Sequence, residues 1–124
     1  MPKLLVYATA LFFLVYGALF IVIPAEIAYL ITDSSPEPTS ATIDFRATYG
    51  GAQLAIGVIL LWIVRQKNDL DLALVLVSFV LLLMALGRSI GIVVDGQANT
   101  LMYVYLVAEV VFGILALVLR KDIS

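Results

Sequence analysis

Apolar residues occupy this chain in four long stretches separated by short polar breaks, and the length of each stretch decides what it forms. Residues 4–23 carry no charge and stop at Pro24. A second stretch, about 41–64, opens on a polar segment and then becomes almost wholly apolar. A third covers about 70–94 and a fourth about 100–119. A helix that crosses the hydrocarbon layer needs roughly 20 mostly apolar residues at about 1.5 Å rise each. All four stretches meet that length. The first is longer than the apolar part of a secretory leader and is followed by no small-x-small cleavage pattern, so it reads as a retained helix.

The breaks predict how the spans connect. Residues 33–40, Asp-Ser-Ser-Pro-Glu-Pro-Thr-Ser, form a solvated loop with two prolines, in which Thr39 or Ser40 is placed to cap the next helix. Ahead of it, residues 24–31, Pro-Ala-Glu-Ile-Ala-Tyr-Leu-Ile, read as a short helix lying at the membrane interface. Residues 65–69 and 95–99 are tight turns, and short turns force neighbouring helices to run antiparallel. The expected fold is all-α: a four-transmembrane-helix up-down bundle with a short interfacial helix after the first span, built as a single integral membrane domain over 1–124. No internal repeat is visible, which removes the inverted-repeat logic of many transporters.

Composition strengthens this picture and removes several chemistries. Of 124 residues, 64% are hydrophobic and 13% charged, against about half and about a quarter in soluble domains. So short a chain cannot bury that much apolar surface in its own core, and the surplus must face lipid. There is no Cys and no His. Thiol chemistry, the usual zinc sites, His-ligated haem and a Ser-His-Asp constellation therefore drop out. No metal, no cofactor and no catalytic residue is expected, and the balance leans away from an enzyme. The few basic residues serve topology, so no nucleic acid is expected as a partner. Lys3, Arg65, Lys67, Arg120 and Lys121 fall on one side, while Glu26, Asp33, Glu37 and Asp95 occupy the opposite loops. Positive residues stay inside, which predicts cytoplasmic termini. Tyr29 and Trp62 suit interfacial anchoring.

Charge inside the spans is the exception that asks for a reason, since each charged group costs on the order of 2.5–3.5 kcal/mol on insertion scales. Asp44 and Arg46 enter the second span, Arg88 lies within the third and Glu109 near the middle of the fourth, with Gln53 a polar partner on the second. From the helix rise, Glu109 and Gln53 lie roughly 15 Å from the cytoplasmic ends, Arg88 roughly 24 Å and Arg46 roughly 27 Å. Thr42, Arg46, Tyr49, Gln53 and Gly57 follow one helical stripe; Met84, Arg88, Gly91 and Asp95 follow another; Tyr105 and Glu109 share a face. In lipid such stripes turn toward each other, and Tyr16 lies at similar depth. The candidate ligand-binding residues are Arg46, Tyr49, Gln53, Arg88, Glu109, Asp44 and Asp95. Small residues run beside them: Ala47, Gly51 and Ala55 in one row, Gly87 and Gly91 in another, spacings that let helix backbones approach.

The strings Asp44-Phe45-Arg46-Ala47-Thr48-Tyr49-Gly50-Gly51 and Gly87-Arg88-Ser89-Ile90-Gly91, followed by Asp95-Gly96 and then Glu109, resemble the DUF4345 family, small bacterial four-helix membrane proteins without assigned function. The resemblance spans nearly the whole chain, and the D-x-R-A-x-Y-G-G string is its most specific part. More loosely, the chain is similar to DoxX-like four-helix membrane proteins. The resemblance implies a bacterial inner membrane and no particular reaction; by position it maps the family's polar residues onto Asp44, Arg46, Tyr49, Arg88, Asp95 and Glu109.

Each feature also has a plainer reading. Arg88 with Glu109 can be an ion pair that fixes helix register, yet a buried pair is weak evidence for stability and Leu would serve stability better. Asp44 and Arg46 can be an interfacial pair at a helix start, where the helix dipole favours Asp in any case. Three functions remain. The first is binding of a small anionic or amphiphilic, lipid-like ligand, because guanidinium groups suit a carboxylate or phosphate head and the apolar helices a tail. The second is an accessory subunit or assembly partner of a larger membrane complex, or a homo-oligomer, docked through the glycine rows. The third is a small-solute or proton transporter built as an oligomer, with Glu109 as proton carrier.

Overall fold

The computed structural model describes residues 2–34, 39–96 and 98–121. Among them the backbone is helical almost throughout and contains no strand. Six α-helices and one π-helical segment follow in order: α1 (Pro2–Val22), α2 (Pro24–Thr32), α3 (Thr39–Phe45), the π segment (Arg46–Gly51), α4 (Ala52–Gln66), α5 (Leu70–Asp95) and α6 (Thr100–Lys121). From Ser40 to Gln66 the helix runs on without a break, and this rod, with Pro2–Val22, Leu70–Asp95 and Thr100–Lys121, is long and apolar enough to cross a membrane. No more than 33% of any of these spans is buried inside the protein. The remaining apolar surface has a favourable environment only in lipid.

Helix ends follow from local chemistry. Pro24 has no N–H to continue α1, so the chain bends at Ile23 and restarts with Pro24 in the first turn of α2. Asp33, in the left-handed region (φ 64°), ends α2 by donating its N–H to the Tyr29 carbonyl at 2.8 Å. Thr39 and Ser40 are both already helical, and the position that would cap α3 lies outside the described residues. Between α4 and α5, the N–H groups of Lys67 and Asp69 both reach the Ile63 carbonyl, at 3.2 and 3.3 Å, around a left-handed Asn68 (φ 54°). Asp69 then caps α5 by accepting from the Leu72 N–H at 3.0 Å. Gly96 closes α5 at φ 69°, ψ −177°, a region open essentially to glycine alone. Asn99 accepts from the Met102 N–H at 3.0 Å at the start of α6. Because one Asp69 carboxylate satisfies the α5 start, Asp69→Ala is expected to lower stability by about 1 kcal/mol in equilibrium unfolding in detergent, with Asp69→Asn close to wild type.

Contacts divide the chain into two compact units, one of Tyr7–Trp62 and one of Met1–Val6 with Ile63–Ser124. In the first, α1 and α4 approach through glycines. A Cβ on Gly17 would fall 2.5 Å from the Leu54 nitrogen, and one on Gly57 would fall 2.9 Å from the Ala10 carbonyl oxygen. Phe13 and Leu60 are fully buried. Here α2 lays Ile27 and Ala28 on Phe20, with Tyr16, Leu19, Ile31 and Phe45 around them, and leaves Tyr29 and Leu30 exposed. That two-sided pattern matches the short helix expected after the first span.

The second unit is an antiparallel hairpin of α5 and α6. Gly113 brings the two close, since a Cβ there would meet the Leu82 side chain at 2.7 Å. Ser78 is fully buried and returns its hydroxyl proton to the Val75 carbonyl at 2.8 Å, which removes most of the penalty of a buried hydroxyl. At the open end of the hairpin Arg120 clasps Asp71 through Nε and Nη2, at 2.7 and 3.3 Å. This pair is well exposed, and ion pairs in contact with solvent contribute little to stability.

Candidate functional site

The polar chemistry of the hairpin is concentrated on Arg88. One face of α5 presents its guanidinium to α6, where Met102, Tyr105 and Glu109 follow the i, i+3, i+7 spacing of a single helical stripe. The Arg88 Nε donates to Glu109 Oε1 and its Nη2 to Oε2, both at 2.9 Å. This is the forked geometry that matches guanidinium to carboxylate and gives the strongest charge-assisted hydrogen bonds. The third corner, Nη1, donates to the Met102 Sδ at 3.2 Å, and the guanidinium carbon lies 5.2 Å from the centre of the Tyr105 ring.

Two features of this arrangement bear on function. The side chain of Glu109 is 8% exposed and that of Arg88 20%, so the carboxylate is enclosed while the Arg88 side chain remains partly accessible. A guanidinium also has five N–H groups, and a thioether is a weak acceptor. Two of the Arg88 donors are spent on Glu109 and one on sulfur; among the described residues the other two have no acceptor. Asp95 lies further along α5, exposed, with its Oδ2 3.7 Å from the position of a Cβ on Gly91.

The remaining candidates belong to the other unit. Arg46 opens the π segment and extends to the end of α1, where Nη1 donates to the carbonyl of Ile21 and lies 3.5 Å from that of Val22. Those carbonyls stand beside the Pro24 break, at the negative end of the α1 dipole, so a cation there supplies donors that the broken helix lacks. Asp44 and Arg46, for which an interfacial pair was one of two readings, make no ion pair with each other among the described residues, because residues two apart on a helix point to different sides. Asp44 instead accepts from the Thr48 hydroxyl at 3.4 Å. Tyr49 packs its ring against Phe20 and Phe45, with centroids 5.3 and 4.9 Å apart. Tyr16 belongs to the same aromatic row, 6.1 Å from Phe20. Gln53 is half-buried, and its Oε1 has no hydrogen-bond partner among the described residues.

The π segment explains why the stripe counted through Thr42, Arg46, Tyr49, Gln53 and Gly57 is not a straight one. An i→i+5 turn holds an extra residue, so everything after it is rotated relative to everything before it. As a result Gly50, not Tyr49, is the residue buried against α1, where a Cβ would meet Ile21 Cγ1 at 2.6 Å. Short π segments inside helices recur at functional sites, and this one coincides with the Asp44–Gly51 string.

A family model described as "Domain of unknown function (DUF4345)" matches residues 1–120, nearly the whole chain. The chain belongs to the DUF4345 family. No curated protein and no solved structure matches it. The family description carries no reaction, so the functional content of this DUF4345 chain rests on its own side chains. Among the described residues no group of acidic side chains is arranged to hold a metal ion.

Met102 is a member of the site that the polar residues alone did not indicate, although its place seven residues before Glu109 puts it on the same face. The small residues that bring helices together also differ from those expected. Among the described residues, Gly87 has nothing within 4 Å of a would-be Cβ, Gly91 only the Asp95 carboxylate, and Gly51 only the Arg46 carbonyl oxygen at 4.0 Å. Ala47 and Ala55 are exposed. The close approaches are made at Gly17, Gly50, Gly57 and Gly113 instead.

Proposed function

We propose that this DUF4345 membrane protein holds a small amphiphilic molecule within the bilayer, its polar head on the Arg88 guanidinium and its tail along the apolar surfaces of α5 and α6. The observation that carries the reading is the partly exposed Arg88, bound to Glu109 by two N–H groups and to a thioether by a third. Intramembrane ionisable groups are costly and mark functional sites by default. A pair of leucines would hold the hairpin at least as firmly, so stability alone does not account for the pair. The same reading takes the bacterial inner membrane from the family resemblance, and sets both termini in the cytoplasm because Lys3, Arg65, Lys67, Arg120 and Lys121 all fall on one side in the order of the spans.

Native mass spectrometry of the protein, extracted gently from its own membrane, tests this directly. Wild type is expected to retain a discrete mass of lipid or metabolite size. The double variant Arg88→Leu/Glu109→Leu, which removes the site without leaving an unpaired charge, is expected to lose it. The same adduct on both proteins would defeat the reading.

A second reading is favoured by a different observation. Among the described residues, a Cβ on Gly87 would meet no atom within 4 Å and one on Gly91 only the Asp95 carboxylate of the same helix, and small residues of this kind accept a second transmembrane helix. On that reading the protein is an accessory subunit. A bare chain that co-purifies with a stoichiometric membrane partner would select it over ligand binding.

A further inference from the structure

We infer that the head group accepted at Arg88 is uncharged: a neutral carbonyl or similar hydrogen-bond acceptor, as in an ester lipid or a quinone, and not a carboxylate or phosphate. The inference rests on the proposed binding at Arg88 and adds its charge selectivity. Read from composition alone, an arginine inside a span invites an anion. The geometry changes that expectation, because Glu109 already meets the guanidinium through two bonds of 2.9 Å and cancels its charge.

What remains on offer is donor capacity. Nη1 faces only the Met102 sulfur, at 3.2 Å, and two further N–H groups have no acceptor among the described residues. A neutral carbonyl oxygen is a better acceptor than a thioether and adds no charge to the site. An anion arriving at the same edge would be attracted by Arg88 and repelled by Glu109 a few ångströms further on, and it would still bear the full cost of leaving water. The Tyr105 ring flanking the guanidinium at 5.2 Å supplies an apolar wall beside the donors, suited to an ester or a quinone ring. Met102, unbranched and flexible, can yield its place to an incoming oxygen.

Three probes separate the cases: dioctanoylglycerol, a short-tailed benzoquinone, and the ether-linked dioctyl analogue of phosphatidic acid, which keeps two tails and an anionic head but has no ester carbonyl. Binding is measured on the full chain in nanodiscs of ether-linked zwitterionic lipid, which offers no ester carbonyl of its own. Wild type is expected to bind one of the two neutral probes at least tenfold more tightly than the anionic ether lipid, and which of the two it prefers identifies the head as ester or quinone. Glu109→Gln, which keeps a polar partner for Arg88 but restores its net charge, is expected to reverse the order in favour of the anionic ether lipid. Equal or tighter binding of the anionic ether lipid by wild type would overturn the charge selectivity while leaving ligand binding at Arg88 intact. Binding of all three that is unchanged in Arg88→Leu/Glu109→Leu would remove the site itself. The wild-type comparison needs no variant to fold.

Discussion

Glu109→Ala is expected to destabilise the protein by about 3–5 kcal/mol, because it leaves the Arg88 guanidinium half-enclosed with its charge uncompensated. The forked pair is held at 2.9 Å on both arms, and the carboxylate is among the few buried polar groups of the described residues. Removing it strands the two N–H groups it accepted beside a thioether and an aromatic face. Arg88→Leu alone should cost a similar amount by stranding Glu109. The double change to leucine should return most of the loss or exceed wild type, since it exchanges a desolvated pair for apolar packing. Equilibrium unfolding of the four proteins in one detergent closes this double-mutant cycle. Small, additive effects would mean that the pair does not form in the membrane. A double variant as unstable as either single one would mean that the pair is structural, and stability would then be reason enough for its presence.

The spans were readable because a bilayer imposes one hard length, and a run of about 20 apolar residues suits little besides a membrane crossing. The turns were readable for a local reason. Asn68 and Gly96 are residue types suited to positive φ, Asp69 and Asn99 are good caps, and each sits where a reversal requires it. Whether Arg88 meets Glu109 was left open by the sequence, because counting the helix rise set their backbones roughly 9 Å apart in depth; the length of the arginine side chain spans that gap and forms the pair. Direction of facing was harder to read. On a soluble helix the polar side identifies the solvent face, but Val110, Phe112 and Ile114 stay exposed on α6 as freely as Gly113 is buried. Spacing therefore shows that Gly87 and Gly91 share a face without showing that the face is turned inward. The π segment was hidden for a related reason: Gly50-Gly51 looks like an ordinary packing motif until the extra residue in the turn is seen.

Gly17→Ala is the second change with a large expected effect, at about 1–3 kcal/mol of destabilisation. Its Cβ would fall 2.5 Å from the Leu54 nitrogen, 2.8 Å from the Leu54 Cα and 2.8 Å from the Gly50 carbonyl oxygen. All three are backbone atoms, so no side chain can rotate away, and α1 must separate from the rod that carries the π segment. Strain of that kind should spread to the Arg46 contact with the end of α1, which depends on the same approach. Gly87→Ala is the matched control: among the described residues nothing lies within 4 Å of the new methyl, and alanine is the better helix former by about 0.8–1.0 kcal/mol in soluble hosts, so stability should hold or rise slightly. Tolerance of Gly17→Ala would mean that α1 and α4 do not pack through their glycines. Gly87→Leu extends the comparison to function. A chain that stays as stable as wild type but loses a stoichiometric membrane partner would show that the open glycine row is a docking face. A chain that keeps its bound amphiphile and has no partner to lose would leave Arg88 as the reason this hairpin keeps charge inside the membrane.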